Sequence, residues 1–132
     1  MKRISGILGF ALALLAVAPP ARAQAAFPYE QELFLDVKPL PGSKRVPMLE
    51  ILSDGRAMID LWCKSGEGRI EVTGDAIKIT IGPLHEEYCT PDRVKLDDDL
   101  APVLEAMTKW EVDDGILILT GASELRYRLS SH

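Results

Sequence analysis

The sequence predicts an α+β fold that is mostly β: a curled antiparallel sheet of about seven strands with one helix packed across it. Apolar and polar residues alternate in short runs, as at 57–63, and this period of two is typical of strands with one buried face. Turn sequences such as Ser-Asp-Gly at 53–55 separate the runs. One segment, 100–107, instead places apolar residues at the spacing of an amphipathic helix.

The predicted strands follow one another along most of the chain. Residues 24–32 read as a mobile leader, and 33–37 alternate as a first strand. We therefore assign 24–46 to a leader with the first strand and 47–132 to the main domain. Residues 64–68, Lys-Ser-Gly-Glu-Gly, read as a loop. Alternating runs in the main domain predict strands at 48–52, 56–63, 70–72, 77–81, 110–112, 116–120 and 125–129.

The helix is predicted to begin after the run Asp97, Asp98 and Asp99. Acidic residues at a helix N-terminus accept bonds from its free N–H groups and complement its dipole, so we assign this run to capping. Pro102 then falls in the first turn, where proline is tolerated. A calcium site is the alternative for the three aspartates, but the alternating donors, central Gly and twelfth-position Glu of an EF-hand loop are missing.

The first 23 residues predict a cleaved secretion signal. Lys2 and Arg3 precede an apolar run, and Pro-Pro-Ala-Arg-Ala at 19–23 ends it, which is the pattern of a signal with a small-residue cleavage site. The run is shorter than the about 20 residues of a membrane span. We predict cleavage after Ala23, with a cut after Ala25 also allowed. Neither cut leaves an N-terminal cysteine for lipidation, so we expect a periplasmic or secreted protein without stable membrane insertion.

The charge of the chain argues against two classes of partner. The sequence has 15 Lys and Arg residues against 20 Asp and Glu, for a formal charge of −5, and removal of Lys2, Arg3 and Arg22 takes it to −8. An acidic chain without a basic cluster is poorly suited to nucleic acid or to anionic membrane surfaces. We therefore expect no nucleic acid partner, and we expect a monomer.

The two cysteines, Cys63 and Cys89, predict a disulfide. In an oxidising compartment an even pair in a small domain most often forms one. Closing a loop of about 25 residues stabilises a domain by roughly 3–4 kcal/mol on the chain-entropy model. A redox-active pair is the alternative, although the spacing is far from Cys-x-x-Cys and no basic residue adjoins Cys89.

Three stretches of the sequence share their order and spacing with a known family. The first is Asp-Gly-Arg at 54–56, followed by a strand and by Cys63, Gly68 and Ile70. The second is the strand 77–84, which contains Gly-Pro at 82–83 and is followed by Cys89. The third is the segment 100–110, followed by 114–120 and 125–127. Together they resemble the META/HslJ-like domain, a family of small bacterial envelope and secreted domains. The likeness covers about four-fifths of the chain that follows the signal.

The chain departs from the family pattern at three places. Lys64 stands where the family has Asn, Ile70 stands where it has Tyr, and His-Glu-Glu-Tyr at 85–88 replaces the Thr-x-Met-Ala that often precedes the second cysteine. A hydrogen-bond network built on the family's Asn and Thr is therefore rebuilt or absent. The resemblance implies roles in stress tolerance, secretion or motility, and it implies no catalytic residues.

Four residues are the candidate contacts for a ligand or partner: Trp62, Lys64, Gly68 and His85. Trp62 lies on the strand face opposite its apolar neighbours, so we expect it to be partly exposed, and the predicted loop 64–68 adjoins it. Packing within the sheet is the alternative for an aromatic residue. His85 belongs to the densest polar cluster, whose alternative is a solvated loop beside the second cysteine.

We predict no catalytic residue, metal site or cofactor. His85 and the two glutamates after it lack the second His of a zinc-binding His-Glu-x-x-His motif. The sequence has no Gly-x-Ser-x-Gly, and Ser65 is the weak exception as a serine partner for His85. A metal-dependent enzyme built on His85 remains the least favoured alternative.

The sequence therefore predicts a non-enzymatic periplasmic or secreted domain that supports envelope integrity or stress tolerance, by binding a small ligand or an envelope protein. The alternative is an inhibitor of a secreted hydrolase such as lysozyme. A small, acidic, disulfide-containing β domain is suited to covering a basic enzyme, because charge complementarity speeds association.

Overall fold

Eight antiparallel strands close into a barrel in which each strand pairs with its neighbours in sequence. The computed structural model describes residues 6, 9, 11–16, 25–86 and 88–130. The predicted α+β class with one helix is confirmed, and the eight strands correspond to the eight alternating runs of the sequence, which the fold prediction counted as about seven. The elements are β1 (Glu32–Leu35), β2 (Met48–Ile51), β3 (Arg56–Asp60), β4 (Ser65–Thr73), β5 (Ala76–His85), α1 (Pro91–Glu105), β6 (Lys109–Asp113), β7 (Ile116–Thr120) and β8 (Glu124–Leu129).

The barrel closes by pairing β1 with β8, so the two ends of the domain lie side by side. Leu33 stands opposite Leu129, and Leu35 stands opposite Tyr127. The predicted strand 33–37 thus belongs to the same sheet as the rest of the domain. Its inward side chains, Leu33 and Leu35, join the buried core.

Two tight hairpins turn at residues with left-handed backbone conformations. Gly74, between β4 and β5, has a φ of 58°, and Asp114 and Gly115, between β6 and β7, have φ values of 49° and 74°. These left-handed conformations suit glycine and are tolerated by aspartate, and Asp-Gly is a preferred pair for a two-residue hairpin turn.

The sheet is least extensively paired between β5 and β6. These strands share one residue pair, Ala76 opposite Lys109, and the Trp110 N–H donates to the Asp75 carbonyl at 3.0 Å. Helix α1 connects the two strands in sequence and packs against β5.

The predicted start of the helix is wrong by two turns. Helix α1 begins at Pro91, with Thr90 at the N-cap position, so Asp97, Asp98 and Asp99 lie in its middle and do not cap it. Pro102 lies in the last turn and not in the first. The apolar stripe was read correctly, since Leu100 and Leu104 enter the core. Proline at the first helical position fits the observed start, because that N–H has no partner in any helix.

The core lies inside the barrel and is almost entirely apolar. The alternation predicted over 57–63 is confirmed as far as Leu61: Ala57, Ile59 and Leu61 are buried, whereas Met58 is exposed. The strand itself ends at Asp60, and Cys63 is only partly buried. The fully buried side chains are Leu33, Leu49, Ile51, Ile59, Leu61, Ile70, Asp97, Leu104, Met107, Leu117, Leu119 and Tyr127. Asp97 is the one charged residue among the buried side chains that the structure describes.

The segment 64–68, predicted as a loop, is largely strand, since β4 begins at Ser65. Its glycines are required by close packing within the sheet. A Cβ atom at Gly68 would lie 2.5 Å from the Thr80 carbonyl oxygen, and one at Gly66 would overlap the Pro83 carbonyl oxygen. The register of β4 against β5 shifts between these two glycines, as at a β-bulge.

Residues 25–30, expected to be a mobile leader, pack against the barrel. Phe27 is buried, and its ring centroid lies 5.0 Å from that of Trp110 in an edge-on contact. The Glu30 N–H donates to the Ile51 carbonyl, and the Glu30 carboxylate accepts bonds from the N–H and the hydroxyl of Ser53, each at 2.8 Å. This segment is therefore part of the folded domain.

The predicted signal sequence and its cleavage site at Ala23 lie mostly outside the described residues. Within the signal, the structure describes Leu12, Leu14 and Leu15, whose side chains are almost fully exposed. In the part of the chain that the structure describes, no helix combines the length and the apolar character that crossing a membrane requires.

Candidate functional site

Three chain segments meet at one end of the barrel. Antiparallel strands alternate in direction, so the β1–β2 loop, the β3–β4 connection and the carboxyl end of β5 share that end. The first turn of α1 follows β5 closely through the second cysteine. The N-terminal segment with Phe27 packs at the opposite end, beside the β4–β5 turn, where the Trp110 indole N–H donates to the Gly74 carbonyl at 2.8 Å.

Asp97 fixes the β3–β4 connection to the helix. Its carboxylate accepts three backbone N–H bonds, from Trp62 at 2.7 Å, Cys63 at 3.0 Å and Lys64 at 2.7 Å. The Lys64 ammonium group lies 3.3 Å from the Asp98 carboxylate. A buried carboxylate is tolerated only where hydrogen bonds replace its lost water, and here consecutive amides of the connection do so.

A disulfide joins Cys63 to Cys89, as predicted, with their Cα atoms 5.7 Å apart. It ties the β3–β4 connection to the segment between β5 and α1. Tyr88, directly before the second cysteine, is fully exposed and has a φ of 49°. A bulky residue adopts this left-handed conformation only where the neighbouring structure imposes it.

These segments surround a cavity of about 220 Å³, which we call the Trp62 groove. Trp62 is half-buried in its wall, and the disulfide contributes Cys63. Among the described residues, the lining is Arg45, Trp62, Cys63, Ser65, His85, Tyr88 and Arg93.

A second, more open cavity of about 540 Å³ adjoins it, and we call this the Met58 groove. Ser65 and His85 line both grooves, so the two adjoin at these residues. The exposed Met58 side chain gives the second groove an apolar patch. The full lining is Met58, Asp60, Ser65, Gly66, Glu67, Pro83 and His85.

A row of three polar residues crosses the floor of the Met58 groove. Asp60 on β3 stands opposite Ser65 on β4, which in turn stands opposite His85 on β5. Residues directly opposite one another place their side chains on the same face of a sheet. The serine lies between the carboxylate and the imidazole, whereas a hydrolytic triad places the imidazole between the carboxylate and the hydroxyl. Among the described residues, no hydrogen bond joins the side chains of Ser65 and His85.

The Trp62 groove is basic although the chain is acidic. Arg45 and Arg93 line it, and no Asp or Glu does so among the described residues. The guanidinium of Arg45 lies 3.9 Å from the Asp60 carboxylate, a weak pair between partly exposed groups. Arg93 makes no ion pair with any residue that the structure describes. The groove therefore offers hydrogen-bond donors from two arginines beside the aromatic rings of Trp62 and Tyr88.

The structure brings two of the four predicted contact residues together. Trp62 and His85 line the Trp62 groove. Lys64 lies beside them but is directed to α1 through its pair with Asp98. Gly68 lies in the wall of the barrel, against Thr80 and Ile59, and lines neither groove.

Sequence reasoning missed both arginines of the groove. Arg45 lies in the β1–β2 loop between Pro41 and Pro47, and Arg93 lies in a part of the helix that the sequence assigned to no element. Neither belongs to a motif, and the fold alone brings them to Trp62. In the sequence, the predicted Cys63–Cys89 disulfide is the feature that indicates that the segment of Trp62 lies near the segment before α1.

The structure also bears on the cluster around His85. Within residues 25–86 and 88–130, no group of three or more His, Cys, Asp or Glu side chains is arranged to hold a metal ion. Glu87, which the cluster includes, lies outside the described residues.

Comparisons with known proteins agree on the fold. A protein structure solved by NMR superposes with a TM-score of 0.57 at 16% sequence identity, over 76% of this chain and 89% of that one. At this identity the likeness concerns the fold alone. No curated protein matches the sequence. The family model of the META domain matches residues 31–131. The match spans β1 to β8, Trp62 and both cysteines, and the chain therefore belongs to the META domain family.

Proposed function

We propose that this META domain works outside the cytoplasm as a non-catalytic binding module that supports envelope integrity under stress. The observation that carries the proposal is the Trp62 groove, where a half-buried tryptophan, two arginines, a serine and a histidine surround one cavity. Concave sites that combine aromatic surface with a few polar groups are typical of ligand binding. The ligand or protein partner is proposed to enter this groove.

Two features support a place outside the cytoplasm. The Cys63–Cys89 disulfide suits an oxidising compartment, where such bonds persist. The charged, apolar and Ala-x-Ala regions of residues 1–23 follow the pattern of a secretion signal. The exposure of Leu12, Leu14 and Leu15 fits removal of this segment, because these side chains contribute nothing to the core.

The mass of the protein purified from the periplasm tests the compartment. A mass that matches a chain starting at Gln24 would support export. If treatment with an alkylating reagent, without reductant, leaves this mass unchanged, the result would support the disulfide in the cell. Retained signal residues, or two alkylated thiols, would contradict this part of the proposal.

The arrangement of the row in the groove floor supports a binding role over a catalytic one. Ser65 on β4 lies between Asp60 on β3 and His85 on β5. The carboxylate is therefore not placed behind the imidazole, where the carboxylate of a hydrolytic triad orients it towards the hydroxyl. Turnover of an ester substrate that is lost in Ser65→Ala would contradict the non-catalytic proposal.

A complementation experiment tests the role of the groove. In a strain that lacks the gene, Trp62→Ala is expected to restore detergent resistance poorly, although the protein accumulates to the normal level. Tyr29→Ala is the matched control, since Tyr29 is also a half-buried aromatic residue but packs beside Phe27 at the other end. Equal restoration by both variants would show that the groove is not used.

Inhibition of a secreted hydrolase such as lysozyme is the second candidate, and the formal charge of −8 after signal removal favours it. A titration of lysozyme activity at low and high salt separates the two. Inhibition that weakens with salt would support the inhibitor function, because the attraction would be electrostatic. The basic lining of the Trp62 groove favours an anionic ligand over a basic enzyme surface.

A further inference from the structure

We infer that the Trp62 groove binds a ring-bearing organic anion: a carboxylate or phosphate group carried on a sugar or similar ring. The inference rests on the proposed binding function and names its ligand class. It follows from the chemistry of the lining.

The charge of the groove is opposite to that of the chain. In a chain with an excess of five acidic residues, the described lining of this cavity holds two arginines and no carboxylate, and the nearby Asp60 carboxylate lies 3.9 Å from the Arg45 guanidinium. A guanidinium presents several N–H groups in a plane that matches carboxylate and phosphate oxygens. Arg93 lacks an ion-pair partner among the described residues, so it can bind an anion without breaking an internal pair.

Ser65 and His85 add a hydroxyl and an imidazole to the lining of the groove. Ser65 and His85 stand opposite each other in the β4–β5 register and line the same cavity as the arginines. A hydroxyl and an imidazole can both donate hydrogen bonds to an oxygen anion or to sugar hydroxyls. The acidic member of the row, Asp60, lines the neighbouring Met58 groove and not this one.

The aromatic side chains of the groove suit a ligand that carries a ring. Trp62 is half-buried and Tyr88 is fully exposed, and both line the cavity with the arginines. Aromatic side chains with one open face provide large contact area at a low entropic cost. A cavity of about 220 Å³ is of the size of a single ring with its charged substituent, and the adjoining Met58 groove offers further surface beside it.

Titrations with four probes test the ligand class: glucose 6-phosphate, glucuronate, glucose and inorganic phosphate. Binding is followed by amide and indole chemical shifts, with Trp110, buried at the other end, as the internal reference. We expect at least one charged sugar to shift the Trp62 indole and the Ser65 and Arg93 amides. We expect its affinity to exceed that of glucose by about tenfold, the effect of one charge-assisted hydrogen bond.

Two variants locate the interaction. Arg93→Gln is expected to weaken binding of the charged sugar by about tenfold, for the same reason. Arg126→Gln is the matched control, because Arg126 lies on β8, lines neither groove and should leave the affinity unchanged. Arg45→Gln serves as a second test if Arg93→Gln alters the melting temperature.

Several results would overturn the inference. Equal affinity for glucose and for the charged sugars would exclude anion recognition, and equal affinity for inorganic phosphate would exclude the ring. An Arg93→Gln variant with unchanged affinity would place the anion elsewhere. Failure of all four probes, together with loss of complementation in Trp62→Ala, would reject this ligand class while the proposed groove function stands.

Discussion

Asp97 is the residue that joins the helix to the groove. Its carboxylate is buried and accepts bonds from three consecutive backbone amides, those of Trp62, Cys63 and Lys64. The connection that carries the tryptophan is therefore held by a side chain 35 positions further along the chain. Asp98 and Asp99, by contrast, are exposed and make surface ion pairs with lysines.

Replacement of Asp97 tests this role. We expect Asp97→Ala to lower the free energy of unfolding by about 2–4 kcal/mol, because three amides lose a charged acceptor in a partly buried place. Asp98→Ala is the control, with an expected loss of at most about 0.5 kcal/mol for an exposed pair. Urea denaturation measures both, and similar losses in the two variants would contradict the assignment.

Tyr127 presents the opposite situation, a buried polar group with no partner. Its hydroxyl finds no hydrogen-bond acceptor or donor in the part of the chain that the structure describes, and burial raises the pKa of the phenol. We expect Tyr127→Phe to stabilise the protein by about 1 kcal/mol, since it removes an unsatisfied group and keeps the ring. Thermal and urea unfolding measure the change, with Tyr29→Phe as the partly exposed control. A loss of stability in Tyr127→Phe would reveal a hidden partner for the hydroxyl.

The sequence predicted some residues of the site and not others, for local reasons. The alternation over 57–63 indicated that Trp62 points away from the core side, and the structure places it half-buried in a groove. The three aspartates before the apolar helical stripe were assigned to a helix cap. A run of three aspartates gives no sign that one of them, Asp97, is buried. Asp97 is buried because the amides of the β3–β4 connection bind its carboxylate, and this contact forms only when the chain folds.

Among the elements, the N-terminal segment is joined to the β2–β3 turn by the carboxylate of Glu30. Glu30 accepts bonds from the backbone N–H and the hydroxyl of Ser53, in the β2–β3 turn. These bonds, chiefly that of the backbone N–H, hold the pKa of Glu30 below its ordinary value of 4.5. Nearby Asp54 raises this pKa and Arg56 lowers it, each by a smaller amount.

The lowered pKa of Glu30 gives its contribution to stability a defined pH dependence. A carboxyl group that is more acidic in the folded state stabilises that state fully above the unfolded pKa, near 4.5, and the stabilisation is lost as pH falls through the folded value. We expect Glu30→Gln to be less stable than the parent at pH 7 and the difference to shrink below pH about 4.5. Denaturation at pH 3 to 7 measures it, with Glu111→Gln as an exposed control. A difference that grows as pH falls would contradict the assignment.

The elements that the sequence missed are those fixed by contacts distant in sequence. The first half of α1 carries the exposed charged residues Asp92 and Lys95 and lacks an apolar stripe, so periodicity could not reveal it. The start of β4 reads as a loop because of Gly66 and Gly68. Both glycines are needed because a neighbouring strand approaches too closely for a Cβ atom.

For the protein as a whole, the disulfide constrains the groove end together with Asp97. It closes a loop of 26 residues, which corresponds to roughly 3.5 kcal/mol on the chain-entropy model. We expect the double variant Cys63→Ser, Cys89→Ser to lose a stability of that order and yet to fold, since Asp97 still holds the β3–β4 connection. The variant should also bind groove ligands more weakly, because Tyr88 is no longer positioned.

Urea denaturation and the chemical-shift titration measure the two effects of the double variant separately. The wild-type protein under oxidising conditions is the reference. Unchanged stability would contradict the constraint, and unchanged affinity would show that Tyr88 does not depend on the bridge.

The closure of the barrel by β1 and β8 has a consequence for how the protein is made. β1 begins at Glu32 and β8 ends at Leu129, so the seam joins the first and last strands to leave a ribosome or a translocation channel. Pairs so distant in sequence form late, because the intervening chain must be ordered or released first. Until then β1 and β7 each present an open edge that can pair with another chain. Both edges are therefore protected only once β8 has been made and has paired with β1.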